Sequence, residues 1–208
     1  MNQQIAIRQL RAMRSGVREM RLAAEGWGSE WMTLIAILMS ARTRDETTVK
    51  VAERLFKRYQ TIAALAEESA AEVAKIIRPV NFFQNKTKYV IGCAKMLVKK
   101  FAGAPPHNLS QLMLLPGVGR KTANVFLAEY GAPAIGVDTH VSYISQKLGW
   151  TAHHDPAKIE KDLETLFPRK LWRIVNGTCV RFGKTHTSRH KKDELLLQIA
   201  RIAGGERV

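Results

Sequence analysis

The sequence predicts an all-α fold. Three observations carry that prediction: apolar residues recur at steps of three and four, strand-like alternation is nearly absent, and helix starts and stops punctuate the chain. The period is explicit in Val49, Ala52, Phe56 and Tyr59, and again in Val90, Ala94, Leu97 and Phe101. Starts are written in capping residues: Asp45 ahead of a helix over 46–58, Ser69 with Glu72 three residues on, Asn108 with Gln111, and Asp155 followed by Pro156 at the first helical position. Each offers a side-chain oxygen to N–H groups that helix geometry leaves without an intrahelical acceptor. Stops are expected at Gly103, Gly149, Gly183 and Gly204, and about ten helices joined by short loops result, with no internal repeat and no low-complexity segment.

At 208 residues with 46% hydrophobic side chains, the chain suffices for one large domain or two small lobes with a real core. Its charge is lopsided: 33 Lys and Arg against 18 Asp and Glu leave a net charge of +15. Residues 168–208 hold ten Lys or Arg against Asp193, Glu194 and Glu206, and the first 25 residues hold Arg8, Arg11, Arg14, Arg18 and Arg21 against Glu19 and Glu25. Any one such run is ordinarily a solvated helix face, but their sum asks for a polyanion, and nucleic acid is the partner it indicates. The longest apolar stretch, Trp31 to Met39, is interrupted by Thr33 and falls far short of the roughly 20 residues a bilayer crossing needs. Residues 1–10 lack the apolar core of a secretory signal, so no membrane attachment and a cytoplasmic, nucleoid-associated location are expected. Cys93 and Cys179 are the two cysteines, which excludes a disulfide framework and any four-cysteine zinc or iron–sulfur site built from this chain alone.

The most informative segment is LLPGVGRKTANVFLAEY, residues 114–130. A short helix from Leu109 ends in Pro116-Gly117-Val118-Gly119, and a second helix follows. Gly117 and Gly119 permit positive φ and close backbone approach, so amides of the turn and of the next helix's first residues can converge on one anion. Leu115 and Val118 are expected to pack the two helices together, and Arg120 to add charge beside a DNA phosphate. A P-loop is excluded, since the glycine spacing is wrong and no strand precedes it. By glycine spacing alone, a plain helix cap and turn is an equal alternative.

Lys121 follows this turn, and Asp138 stands seventeen residues further on in Gly136-Val137-Asp138-Thr139-His140. LPGVGRKTAN followed by VDTH resembles the signature of the endonuclease III family of helix-hairpin-helix DNA glycosylases. The resemblance covers most of the chain, from the helix holding Leu34 to Ser40 through to Phe182-Gly183. It implies an all-α, two-lobed base-excision repair enzyme with a cleft between a six-helix barrel lobe, residues 26–133, and a lobe formed by residues 1–25 with 134–208. Lys121 and Asp138 are then the catalytic pair, facing each other across the cleft. Leu115, Gly117, Val118, Gly119, Arg120 and His140 are the residues then expected to contact DNA. A monomer acting on double-stranded DNA with damaged bases or abasic sites is the expected form.

The chemistry can also be argued from the residues. Breaking an N-glycosidic bond creates an electron-poor, oxocarbenium-like sugar that calls for a nucleophile and a nearby negative charge. Partial burial, a helix N-terminus and adjacent Arg120 all disfavour the ammonium form of Lys121, which makes a free amine available at C1′. Attack expels the base and leaves a Schiff base, whose electron-sink character permits β-elimination of the 3′ phosphate. Asp138, as the N-cap of a helix from Thr139, would stabilise the cationic sugar and relay protons. Without the motif, the pair would read as a surface phosphate contact and a simple cap.

A glycosylase must extrude its target nucleotide and fill the vacated stack. The family commonly places a Gln in the segment that is here Ser40-Ala41-Arg42-Thr43-Arg44-Asp45, and a leucine wedge near Asn81-Phe82-Phe83, so Arg42 and Phe82 stand at those positions. Arginine can fill the gap and favours guanine edges, and an aromatic wedge adds stacking. At this level Arg42 can equally be an exposed loop charge and Phe82 core. The departures keep two substrate classes in view, damaged and oxidised pyrimidines or mismatches and purine lesions; a non-catalytic DNA-binding scaffold is the alternative of a different kind.

The family often carries four C-terminal cysteines around an iron–sulfur cluster, whereas the segment after Gly183 has none. No cofactor is expected, and a helix from about Lys191 to Ala203, with Leu195, Ile199 and Ile202 as its apolar stripe, is expected where the cluster loop would be. His186 and His190 with Cys179 supply three donors and no structural need for a metal, so none is expected there.

Overall fold

The structure is a computed structural model and describes residues 1–202, which form helices and loops with no strand. They divide into two compact units: a central unit of residues 21–129, and a terminal unit joining residues 1–20 to the chain from Tyr130 onward. α1 (Gln3–Ser15) belongs to the terminal unit. The central unit holds α2 (Glu30–Ser40), α3 (Asp45–Arg58), α4 (Ile62–Glu67), α5 (Ala70–Ile77), α6 (Phe83–Phe101), α7 (Leu109–Leu112) and α8 (Arg120–Glu129). The terminal unit resumes with α9 (Thr139–Lys147), α10 (Pro156–Leu166), a 3-10 turn at Arg169–Leu171, α11 (Trp172–Thr185) and α12 (Arg189–Ala200). The described residues hold twelve α-helices against the expected ten or so; α4, of six residues, is too short for periodicity to reveal.

In the central unit α2 is buried from Thr33 to Met39 and is flanked by α3, α6 and α8. The long α6 supplies the opposite wall through Val90, Cys93, Ala94 and Leu97, and packs on α4 and α5. Trp27 and Trp31 meet Phe56 edge-on at 5.0 and 5.3 Å, the arrangement the ring quadrupoles favour. Arg21 ties the residues before α2 to this unit: it donates to the Glu25 and Gly26 carbonyls at 2.8 and 3.0 Å, pairs with Glu53 at 3.0 Å and lies 4.2 Å over the Trp27 ring.

The expected caps at Ser69, Asn108 and Asp155 each accept a backbone N–H, from Glu72, Gln111 and Lys158. α6 ends as expected at Gly103, at φ +84, whose N–H returns to the Leu97 carbonyl at 2.9 Å. Asp45 lies inside the first turn of α3 instead of capping it, and the cap position belongs to Arg44.

The terminal unit closes around Leu10, Met13, Ile144, Trp150, Phe167, Val175, Phe182 and Leu196. Trp150 donates its indole N–H to buried Gln9 at 2.7 Å and meets Phe167 edge-on at 4.9 Å. Gly183 does not stop a helix. It lies buried inside α11, where the ring of His140 occupies the volume a Cβ would take. α12 starts at Arg189, capped by Ser188, earlier than expected; its fully buried residue is Leu196, with Leu195 and Ile199 only partly covered. The expected helix end at Ala203 and the stop at Gly204 lie outside the described residues. Among the described residues no helix is long and apolar enough to cross a membrane.

Candidate active site and nucleic-acid interface

The hairpin between α7 and α8 is seated on α6. Leu115 and Val118 are 2% and 5% exposed, and the Val118 N–H closes the turn on the Leu115 carbonyl at 3.0 Å. Their side chains serve the core, so a ligand meets these two positions only through backbone. Gly117 has φ +78, and a Cβ there would lie 2.6 Å from Tyr89 Cβ and 2.7 Å from Tyr89 Cγ. One turn along α6, a Cβ on Gly92 would press on Pro116 at 3.2 Å.

Gly119 is different. Its φ is not positive, and an added Cβ would meet nothing within 4 Å. The protein itself therefore gives no packing reason for glycine at 119; the open space beside it suits close approach by something else. α8 starts immediately after, with the Ala123 N–H bonded to the Gly119 carbonyl at 3.0 Å, so the amides of its first turn and the positive end of its dipole face the same side. Arg120 is exposed and Lys121 half-buried. Buried Thr122, Ala123 and Asn124 anchor that turn.

In the terminal unit, Asp138 caps α9. Its Oδ1 accepts the N–H groups of His140 and Val141, both at 2.9 Å. Both bonds use one oxygen, so capping makes no demand on Oδ2. The approach to the cap is fixed from behind by buried Ile135 and Val137 and by Asn176, whose amide donates to the Gly136 carbonyl at 2.6 Å. Sequence inspection missed Asn176, because a lone Asn inside a helical pattern carries no signal. His140 stands two residues on, with its ring over Gly183.

Two further loops of the central unit come together. Arg42 and Phe82 are both exposed, Phe82 at 54%, which removes the reading of Phe82 as core. The Arg42 guanidinium lies 4.8 Å over the Phe82 ring. Asn81 joins the loops, its side-chain amide donating to the Arg42 carbonyl at 2.5 Å and its backbone N–H to Thr43 Oγ1 at 3.1 Å.

Within the central unit the structure thus gathers Leu115 to Lys121 on one hairpin and pairs Arg42 with Phe82; Asp138 and His140 share one helix start in the terminal unit. Residues 35–169 match the model of the HhH-GPD superfamily of base excision DNA repair proteins. The chain belongs to this superfamily. Among its HhH-GPD relatives, endonuclease III of Thermotoga maritima is 40% identical over 152 residues, covering 73% of this chain and 71% of that protein. Endonuclease III of a Synechocystis species is 43% identical over 153 residues, covering 73% and 70%. A solved trapped endonuclease III–DNA covalent intermediate superposes with a TM-score of 0.82 at 32% identity, covering 90% of this chain and 89% of that one.

The cysteine-bound cluster often found in the HhH-GPD family does not fit these residues. Cys93 and Cys179 are fully buried in different units. Burial pushes the Cys93 thiol up to about 12, and burial together with the charge of Asp138 pushes Cys179 up as well, away from the thiolate a metal needs. His186 caps α11 with its ring 4.7 Å from Phe182, and His190 faces Glu194 at 3.6 Å. Among the described residues no three His, Cys, Asp or Glu side chains group as a metal site.

Proposed function

We propose that the protein is a bifunctional DNA glycosylase and abasic-site lyase that removes damaged, oxidised pyrimidines from duplex DNA, working on nucleoid DNA without a cluster or other cofactor. One observation carries the reading: the glycine hairpin that opens space at Gly119 is followed two residues later by Lys121, in a chain 40% identical to an endonuclease III.

The hairpin holds a phosphate of the damaged strand through the amides around Gly119 and the start of α8, with Arg120 beside it; such contacts set register without reading sequence. Arg42 and Phe82 fill the stack left by the rotated nucleotide. Lys121 Nζ, as the neutral amine, donates its lone pair to C1′ while the C1′–N bond breaks and the base departs with that bond's electron pair, to be protonated. Loss of the amine proton and opening of the sugar ring give the iminium. The C2′ proton then leaves, its electrons form the C1′–C2′ enamine and then the C2′–C3′ double bond, and the 3′ phosphate departs. Asp138 contributes negative charge as the sugar becomes cationic and accepts and returns protons, its orientation fixed by the two cap bonds to Oδ1.

Borohydride trapping tests this. Reduction of the iminium on an abasic duplex should yield a covalent protein–DNA adduct, and Lys121→Ala should abolish it; an undiminished adduct in that variant removes Lys121 from the mechanism. The absence of any adduct with the unaltered protein would leave the DNA-binding scaffold. A second substrate reading, mismatches or purine lesions, is favoured by Arg42 and Phe82 standing where the family commonly has Gln and Leu. Base release across a panel of lesions, scored with and without alkali, separates the two.

A further inference from the structure

Lys86 is a buried cation that the chemistry above does not use. It lies in the first turn of α6, 5% exposed, and its ammonium donates to the Met39 carbonyl at 2.6 Å, the Ala41 carbonyl at 2.6 Å and Thr43 Oγ1 at 2.9 Å. Three donors meet three acceptors, so the ammonium is fully satisfied within the protein. Two of those acceptors are carbonyls at the C-terminal end of α2, where the helix dipole favours a cation. The third, the Thr43 hydroxyl, also receives the Asn81 backbone N–H at 3.1 Å. Asn81, just before α6, and Lys86, in its first turn, thus grip the 39–43 segment at two points. Burial lowers the Lys86 pKa to about 8, which leaves the triply donating form dominant at neutral pH.

Backbone strain marks the same place independently. Among the described residues three non-glycine residues have positive φ: Arg42 at 55°, Phe82 at 59° and Ala102 at 50°. Ala102 ends α6 ahead of Gly103, a common use of that conformation. The other two lie on different loops, and their side chains stack on each other. A left-handed conformation at a bulky residue persists only where surrounding structure imposes it. The hydrogen bonds that surround Arg42 here are those of Lys86 and Asn81.

We propose that Lys86 is a positioning residue for duplex insertion, locking the 39–43 segment to the 81–83 turn so that Arg42 and Phe82 stand as one preassembled wedge before DNA arrives. This rests on the reading of Arg42 and Phe82 as the inserting pair. A preformed wedge avoids ordering two loops at the moment of binding, a cost that would otherwise weaken recognition of the damaged site and leave binding to intact DNA unaffected.

The test uses the full chain and a duplex carrying a tetrahydrofuran abasic analogue opposite 2-aminopurine, whose fluorescence reports what enters the stack. The unaltered protein should change the signal at saturation, and Phe82→Ala should remove most of the change. Lys86→Met should resemble Phe82→Ala, with preference for the abasic over the intact duplex reduced about tenfold and affinity for the intact duplex held within about twofold. Thr43→Val removes one acceptor of Lys86 and the acceptor of the Asn81 backbone N–H from a partly exposed position, and should lower the preference about threefold. A purely structural Lys86 would weaken both duplexes together. Should Lys86→Met not fold, Thr43→Val decides alone. Undiminished signal and preference in the variants that fold overturn the positioning role, whereas a signal that the unaltered protein leaves unmoved removes the insertion reading on which it rests.

Discussion

The two hairpin glycines make opposite predictions from a single change, glycine to alanine. At Gly117 the left-handed backbone costs an alanine about 1–2 kcal/mol. The new methyl would also sit 2.6 Å from Tyr89 Cβ, roughly an ångström inside ordinary carbon contact, and overpacking of that kind costs about 1–3 kcal/mol. Together these give a loss of about 2–5 kcal/mol, which lowers the melting midpoint by about 4–20 °C for a chain of this size. Gly119→Ala meets no atom within 4 Å and no positive φ, so stability should stay within about 1 kcal/mol of the unaltered protein. Its methyl instead occupies the space assigned to a phosphate. Loss of a hydrogen bond to a charged group, worth about 1.5–3 kcal/mol, weakens binding about tenfold to a hundredfold, and the dependence of log K on log salt should shallow by about 0.9 for one lost phosphate. Thermal melts and fluorescence anisotropy on an abasic-analogue duplex measure both. Gly117→Ala melting like the unaltered protein, or Gly119→Ala binding within about twofold of it, would refute the division of labour.

Four further outcomes follow from contacts in the terminal unit and from the thiols. Asp138→Asn retains a good cap and loses the charge, so base removal should slow by about two to four orders of magnitude with DNA affinity and melting nearly unchanged; equal loss of binding would make Asp138 a structural cap alone. Asp138→Ala should in addition destabilise the fold by about 1 kcal/mol in thermal melts. Gly183→Ala should cost about 1–3 kcal/mol by displacing His140, and His140→Ala should recover most of it in a double-mutant cycle; additivity of the two losses would show that the ring does not occupy that space. A disulfide thiol reagent should find no reactive thiol in the folded protein at about pH 8 and two per chain in guanidinium, because burial holds both cysteines protonated.

Features written in neighbouring residues were legible. The caps at Ser69, Asn108, Asp155 and Asp138 depend on a side chain reaching a backbone amide two or three residues ahead, and the helix-hairpin-helix motif is similarly compact. Features made by distant residues were not. Gly183 has the composition of a stop, and its true reason is a ring from residue 140. Lys86 looks like one more lysine on a basic helix, and its acceptors lie 43 to 47 residues earlier. Both hairpin glycines permit positive φ; Gly117 adopts it and Gly119 does not, and Tyr89 of another helix presses on Gly117, a contact that sequence spacing does not reveal. The apolar stripe of Leu195 and Ile199 does not point to Leu196, the buried residue of α12, because the helix touches the core along a narrower strip than its apolar content suggests.

The terminal unit is assembled from both ends of the chain, and this governs the order in which the protein can be made. As the polypeptide leaves the ribosome, residues 21–129 are available to fold as a block as soon as Glu129 emerges, whereas Ala6, Leu10 and Met13 of α1 must wait for Trp150, Phe167 and Phe182 before they have a core to enter. Through that interval the apolar side chains of the α1 segment stay without their core, and Gln9 reaches Trp150 only after 141 positions of sequence separation have been closed. Synthesis therefore leaves the apolar side chains of the α1 segment uncovered longer than those of the central unit.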